Sequence, residues 1–222
     1  MFNSIKYIYM LKYVYMNLKI KDYEDKYFSQ AVELISSTWD FTTHFENLKN
    51  ENLPYNLYME YTLLSCSYGR VVVDESDNLV AMFFGEIENS QNKLKIRLLE
   101  SRIWLHSLLG NFGKRSVSLS FFKKYQKECK KLYSGASFDK EVHLIAVSPL
   151  AKGCGLGKKL IKEYMNKCRK NNIKKIGLQT GADCNYRFYN HLGFDREASI
   201  FSTMYIKGDE KTNFFIYTKE IV

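Results

Sequence analysis

This sequence predicts a mixed-sheet α/β (α+β) fold, with parallel and antiparallel strands in one sheet, and three observations carry that expectation. Strand-like and helix-like segments follow one another in the order strand, helices, two antiparallel strands, helices, then strand–helix–strand–helix–strand–strand. The chain is 45% hydrophobic and 15% aromatic, enough to repay the entropy of ordering a core, which excludes bulk disorder. Only two prolines and twelve glycines in 222 residues argue against a loop-rich or fibrous chain, and the length fits one domain better than two.

Leu18–Lys21 reads as a short strand. Tyr23–Trp39 follows with apolar residues at 27, 28, 31, 34 and 35, the spacing of an amphipathic helix. A polar connection, Glu46–Asn52, leads to a second helix over Pro54–Cys66, where Pro54 suits a first turn that has no amide to lose. Arg70–Asp74 and Leu79–Glu88 are β-rich and joined by Glu75-Ser76-Asp77-Asn78, a hairpin signal. Two amphipathic helices over 91–110 and 116–133 flank the breaker Gly110-Asn111-Phe112-Gly113. Val142–Val147 reads as a strand, Leu156–Lys170 as a helix with one apolar stripe, Lys175–Thr180 as a strand and Asp183–Leu192 as a short helix closed by Gly193. Ile200–Ile206 and Asn213–Glu220 read as the last two strands, around Lys207-Gly208-Asp209. Residues 1–16 form an N-terminal extension, or an added edge strand, ahead of a domain over 17–222.

The net charge is +9, which favours anionic partners in general. The lysines are nevertheless scattered, and the densest basic stretch, Lys158–Lys175, falls on one helix and its exit turn as a solvated face, so nucleic-acid binding is not expected. No apolar run approaches the roughly 18 residues of a spanning helix, and no membrane role is expected. No small-residue cleavage site follows the opening segment, so a secretory leader is not expected either. Five cysteines, with no CxxC or CxxH spacing, suggest neither a disulfide framework nor a zinc site and point to a reducing, cytoplasmic setting.

The chemistry concentrates in Glu141–Lys158, EVHLIAVSPLAKGCGLGK. A strand runs into a loop with glycines at 153, 155 and 157, and a helix begins at once. Glycines let a backbone approach a ligand, and a helix N-terminus adds partial positive charge, so the arrangement suits a pyrophosphate bracketed by Lys152 and Lys158. It is equally the shape of a tight strand-to-helix turn. The spacing fails both common nucleotide loops. A Walker A loop would need a hydroxyl where Lys159 stands, and in a Rossmann GxGxxG the third glycine would come later.

These residues resemble the GNAT N-acetyltransferase superfamily. Lys152, Gly155 and Gly157 occupy the key places of its [Q/R]-x-x-G-x-[G/A] signature, with lysine where arginine or glutamine is usual. Ile145-Ala146-Val147-Ser148-Pro149 is similar to the family's central strand and its exit, and Asn185-Tyr186-Arg187-Phe188-Tyr189-Asn190-His191-Leu192-Gly193-Phe194 to its N-x-x-F-Y-x-x-x-G-F helix. The match covers about residues 141–194, and helices 91–138 then read as an insertion between the third and fourth strands. The resemblance implies acetyl-CoA in a V-shaped gap beside the central strand. The backbone of Ile145, Ala146 and Val147 would pair with the pantetheine, and the loop Gly153, Cys154, Gly155, Leu156, Gly157 and Lys158, with Lys152, would hold the pyrophosphate. Asn185 would touch the pantetheine arm or serve only as a helix cap.

The activity implied is direct transfer of an acetyl group to a primary amine of a small molecule or peptide, with no metal. Such transfer needs a base for the amine and an acid for the departing thiolate. Tyr189 matches the family's tyrosine acid, or is a core tyrosine on an apolar helix face. Strand alternation places Glu141, His143, Ile145 and Val147 on one face, and Glu141 matches a glutamate base found in some members. His143 on the same face is a second titratable group. Gln179, where other members carry an acid, cannot serve. An inactive acyl-CoA-binding sensor or structural module is the alternative. The insertion, with Phe112, Phe121, Phe122 and Trp104 beside Arg97, Arg102, Lys114 and Arg115, would either roof the acceptor pocket or form a homodimer face.

Overall fold

A computed structural model describes residues 17–45, 47–89, 91–202 and 212–221. The expected extension 1–16, Glu46 and the turn Lys207-Gly208-Asp209 lie outside the described residues. Strands β1 (Lys19–Asp22), β2 (Tyr68–Val73), β3 (Leu79–Gly85), β4 (Lys140–Val147), β5 (Lys175–Gly181), β6 (Asp195–Ser202) and β7 (Thr212–Glu220) form one sheet in the order β1-β2-β3-β4-β5-β7-β6. Every neighbouring pair is antiparallel except β4 and β5, which run parallel. The helices are α1 (Phe28–Thr38), α2 (Leu53–Ser65), α3 (Lys93–Leu108), α4 (Arg115–Tyr133), α5 (Leu156–Lys170) and α6 (Arg187–His191).

The β2–β3 turn forms as its residues dictate. The Asp74 carboxylate accepts from the amides of Ser76 and Asn78, each at 2.9 Å, and Asp77 takes the left-handed conformation at φ +62°. Gly110 and Gly113 likewise stand at φ +70° and +82°, the bend separating α3 from α4. Burial divides the core by sheet face. One cluster packs the α5 stripe of Leu156, Leu160, Ile161, Tyr164, Met165 and Cys168 on Val72, Phe83, Val142 and Leu178. On the other face, α1 and α2 cover Val71, Met82, Phe84, Leu144 and Ala146. Next to them α4 places Leu132 on Phe214 and Ile216 of β7, while Leu57, Leu99 and Phe112 join α2, α3 and the α3–α4 bend. The basic side chains of α5 lie outward, as expected of a solvated face.

Two boundaries differ from expectation. The helix expected over 183–192 shrinks to Arg187–His191, because successive turns consume the preceding amides: Cys184 N–H donates to Gly181, Tyr186 to Cys184 and Phe188 to Asn185. The sixth strand begins at Asp195 rather than Ile200, since pairing with β7 organises the polar run Asp195-Arg196-Glu197 that carries no strand pattern of its own.

Candidate active site

The parallel partnership of β4 and β5 lasts three rungs, Lys140↔Ile176, Glu141↔Gly177 and Val142↔Leu178. Beyond it β4 continues to Val147 bonded only to β3, and β5 continues to Gly181 bonded only to β7. One backbone edge of Ile145, Ala146 and Val147 therefore faces a gap between the two halves of the sheet. The first carbonyl past the last rung, that of His143, accepts from Tyr58 Oη at 3.4 Å.

At the mouth of this gap the chain turns from β4 into α5. A short 3₁₀ turn, Pro149–Ala151, is held by Ser148, whose side chain accepts from Leu150 N–H. Gly153 at φ +95° and Gly155 at φ +74° then aim the chain into the helix. Gly155 is the N-cap, and a Cβ there would meet nothing within 4 Å, so glycine is required by backbone conformation and not by space. At Gly157 a Cβ would come within 3.3 Å of Phe188 and 3.6 Å of Ile145, which sets the loop against both β4 and α6. The first ladder bond is Lys159 N–H to Gly155 O at 3.0 Å, so the amides of Leu156, Gly157 and Lys158 precede the helical ladder. Lys152, Gly153, Gly155 and Lys158 are exposed around them. Cys154 differs from its expected role as an amide donor, because its N–H is committed to Ala151 O at 3.2 Å. The Leu156 side chain is anchored in the core beneath α5.

The face assignment of β4 is corrected by a β-bulge. Its register on β3 jumps from Leu144↔Phe84 to Val142↔Gly85, leaving His143 as the extra residue. Ile145 and Val147 consequently face the α5 cluster, whereas Glu141 and His143 turn to the α2–α3 side, where they line a cavity of about 320 Å³. Strict alternation cannot foresee this, since one inserted residue reverses every side chain beyond it. Tyr61 and Ser65 of α2, Glu86 and Gln91, and Lys93, Ile96, Arg97 and Glu100 of α3 complete the lining. None of Trp104, Phe112, Phe121 and Phe122 lines this cavity, and Phe112 is buried in the hairpin core, its ring 4.9 Å from Phe45 and 5.2 Å from Phe122.

At the cavity floor Tyr133 Oη donates to the Glu141 carboxylate, and His143 Nε2 lies 2.8 Å from Glu86 Oε1, which also accepts from Gln91 at 2.6 Å. Burial pushes the Glu141 carboxyl above the usual 4.5, and the His143 charge and the Tyr133 bond only partly oppose it. Burial alone would pull His143 down, but the Glu86 bond and the Glu141 charge outweigh it and raise the imidazole above 6.5. Glu86, Glu141 and His143 bring ligand-capable atoms within 4.8 Å of one another, the one such group among the described residues.

Tyr189 stands on the other side of the gap from Glu141, buried in the α5-side cluster with its ring 5.2 Å from Phe188 and 5.9 Å from Phe194. Desolvation raises its phenol well above the ordinary value, with the Cys184 and Tyr58 groups adding to the effect. Asn185 is exposed at the approach to α6. Glu86, Tyr58 and Tyr133 were not singled out by sequence. Glu86 was findable only through the hairpin-like pairing that sets its amide on Glu141 O at 2.9 Å, and the tyrosines read as ordinary helix-face aromatics.

Comparison with known proteins bears on this arrangement. Residues 33–194 match the model of the Acetyltransferase (GNAT) family, so the chain belongs to that family and is an N-acetyltransferase by membership. Its fold is shared with arylalkylamine N-acetyltransferase 2 from Aedes aegypti, at TM-score 0.60 and 15% identity, with 93% of this chain and 100% of that one covered. Drosophila melanogaster polyamine N-acetyltransferase, an enzyme that forms N-acetylagmatine, aligns at TM-score 0.60 and 11% identity over 92% and 100% of the two chains. The ribosomal-protein-S18-alanine N-acetyltransferase of Escherichia coli aligns at TM-score 0.55 and 12% identity over 92% and 94%. No curated protein sequence matches.

Proposed function

We propose that this protein transfers an acetyl group directly from acetyl-CoA to a primary amine of a small molecule or peptide. The observation that carries the reading is the departure of β4 from β5 just past the Val142 rung, with the amino end of α5 at the mouth of the opening. These residues fit a CoA ester: an unpaired strand edge suits the amides of a pantetheine arm, and ladder-free helix amides between two exposed lysines suit a pyrophosphate. When bound, acetyl-CoA supplies an acyl group activated as a thioester.

In this reading Ile145, Ala146 and Val147 present their backbone edge to the pantetheine, and Asn185 borders it from the turn before α6. The amides of Leu156, Gly157 and Lys158, shaped by Gly153 and Gly155 and flanked by Lys152 and Lys158, hold the diphosphate. Glu141 takes the proton that the attacking ammonium must lose. Its desolvated carboxyl is a stronger base than a solvated one, and Tyr133 fixes its orientation. The Glu86–His143 pair stands beside it to relay that proton onward. Tyr189 keeps its phenolic proton at neutral pH and provides it to the leaving sulfur. The acceptor occupies the cavity under α3, which functions as part of an insertion over residues 91–138. Lys93 and Arg97 at its exposed edge suit an amine whose body also carries an anion. Amines are also the substrates named for the aligned insect enzymes. The absence of any disulfide among the five cysteines suits a reducing cytoplasm.

Calorimetry with acetyl-CoA, paired with free-thiol release over a panel of amines, amino acids and peptide N-termini, tests the reading. Binding that is lost in Gly155→Glu, together with turnover on at least one amine, is expected. Tight binding without turnover on any amine replaces the enzyme by an acyl-CoA sensor, and equal affinity in Gly155→Glu removes the pyrophosphate site from this loop.

A further inference from the structure

Helix α3 is apolar on two opposite sides. Ile96, Leu99, Ile103 and Ser107 face inward, with Leu99 and Ser107 buried. On the outer side Leu94, Leu98, Leu105 and Leu108 are 69%, 57%, 53% and 54% exposed, half of the eight large hydrophobic side chains exposed among the described residues. With Ser101 the outer positions 94, 98, 101, 105 and 108 are spaced 4, 3, 4 and 3 residues apart, the strict two-per-heptad seam of a coiled coil and not the broad stripe of a helix lying on a lipid surface.

We infer that this seam is the contact face of a homodimer in which α3 packs antiparallel on α3 of a second copy, crossing near Ser101. The seam is close to symmetric about that residue, with leucines seven positions to either side and again three before and four after it, which makes it complementary to its own reverse. Serine is the small residue a close helix crossing needs. Its hydroxyl is already satisfied, donating to Arg97 O at 2.9 Å, so apposition there strands no polar group. Arg102, beside the crossing, is neutralised within its own chain by Glu60 at 2.8 Å. The four leucines expose on the order of 400 Å² per protomer, about half of the roughly 800 Å² each partner gives to a standard interface, and the flanking stems of Lys95, Arg97, Arg102 and Leu109 supply the remainder. The helix is already ordered by α2 and α4, so dimerisation pays no folding entropy for it. Because Lys93, Ile96, Arg97 and Glu100 of the same helix line the cavity, the dimer also braces that wall.

Sedimentation equilibrium of the full chain over roughly 1 to 100 µM, the range in which an interface of this size operates, is the test. Wild type is expected at twice 26.1 kDa, and Leu98→Glu/Leu105→Glu at 26.1 kDa with an unchanged circular dichroism spectrum. Ser101→Cys should give a disulfide-linked dimer on mild oxidation that wild type does not give, which reports the crossing point without a folding change. A wild-type monomer throughout the range, a dimer that survives the double substitution, or a monomer that binds anionic phosphatidylglycerol vesicles through these leucines each overturns the inference.

Discussion

Glu141 lies in the α2–α3 cavity and Tyr189 in the α5-side cluster, on opposite faces of the sheet, and burial raises both titrations, which makes the carboxylate a stronger base and leaves the phenol protonated at neutral pH but a weaker acid. The carboxyl is raised above 4.5, so the rate should fall as pH drops through that raised value and Glu141 becomes protonated. Glu141→Gln should lower kcat by about 10²–10⁴-fold and abolish that acid limb in a pH–rate profile. Tyr189→Phe should lower kcat by about 10²-fold or more with acetyl-CoA affinity unchanged by calorimetry, since the phenol acts only when the sulfur departs. A separate residue-scale device tunes stability. The Asp77 carboxylate is held far below 3.8 by hydrogen bonds first from Lys21 at 2.5 Å and then from Tyr27 at 2.8 Å, with Lys26 adding. A depressed folded pKa means stabilisation present above 3.8 and lost as pH falls toward the folded value. Asp77→Asn, which keeps a residue at home at φ +62°, should therefore lower Tm at pH 7 by an amount that shrinks steadily below pH 4 in a melting series. Sequence exposed Glu141 and Tyr189 through their motif positions. It could not expose Glu86 or Tyr133, whose parts arise from His143 and Glu141, 57 and 8 residues away.

Single elements were legible where local rules act alone. The α5 stripe at 156, 160, 161, 164, 165 and 168 is buried as its 3.6-residue period requires, and the 75–78 turn forms with its Asp and Asn residues. At Gly155 the demand is equally local: a left-handed φ with open space around the missing Cβ. Gly155→Ala should thus cost about 1–2 kcal/mol in chemical denaturation while leaving the loop passable to a ligand. The α3–α4 hairpin was legible as two helices but not by its packing. Its aromatic residues fill a shared core with Phe45 and leave the cavity wall to Lys93, Ile96, Arg97 and Glu100. Arg97→Ala should therefore raise KM for an acceptor bearing a carboxylate by roughly tenfold, and leave KM for its uncharged analogue unchanged in steady-state assays. Excising the hairpin would instead uncover Leu57, Phe214 and Ile216 and destabilise the fold.

For the whole molecule, the two halves of the sheet meet through three β4–β5 rungs and the core on the α5 face, where Val72 and Val142 of one half share a cluster with Leu178, Phe215 and Tyr217 of the other. A ligand that bridges the gap ties these halves together. At 100 times its dissociation constant, acetyl-CoA should add about 2.7 kcal/mol and raise Tm by roughly 5–10 °C in scanning calorimetry, a rise absent in Gly155→Glu. The amino-acid sequence by itself determined the element order, the helix stripes, the glycine-shaped turn into α5 and the family resemblance, because each depends on residues a few positions apart. Only the tertiary structure decided which face of β4 carries Glu141 and His143, since one bulged residue reversed the alternation. It also decided that Glu86 joins them, that Cys154 spends its amide inside the loop, and that α3 keeps a leucine seam in solvent. Those outcomes depend on register between distant strands and on the volume competed for by helices far apart in the chain, quantities that no local pattern contains.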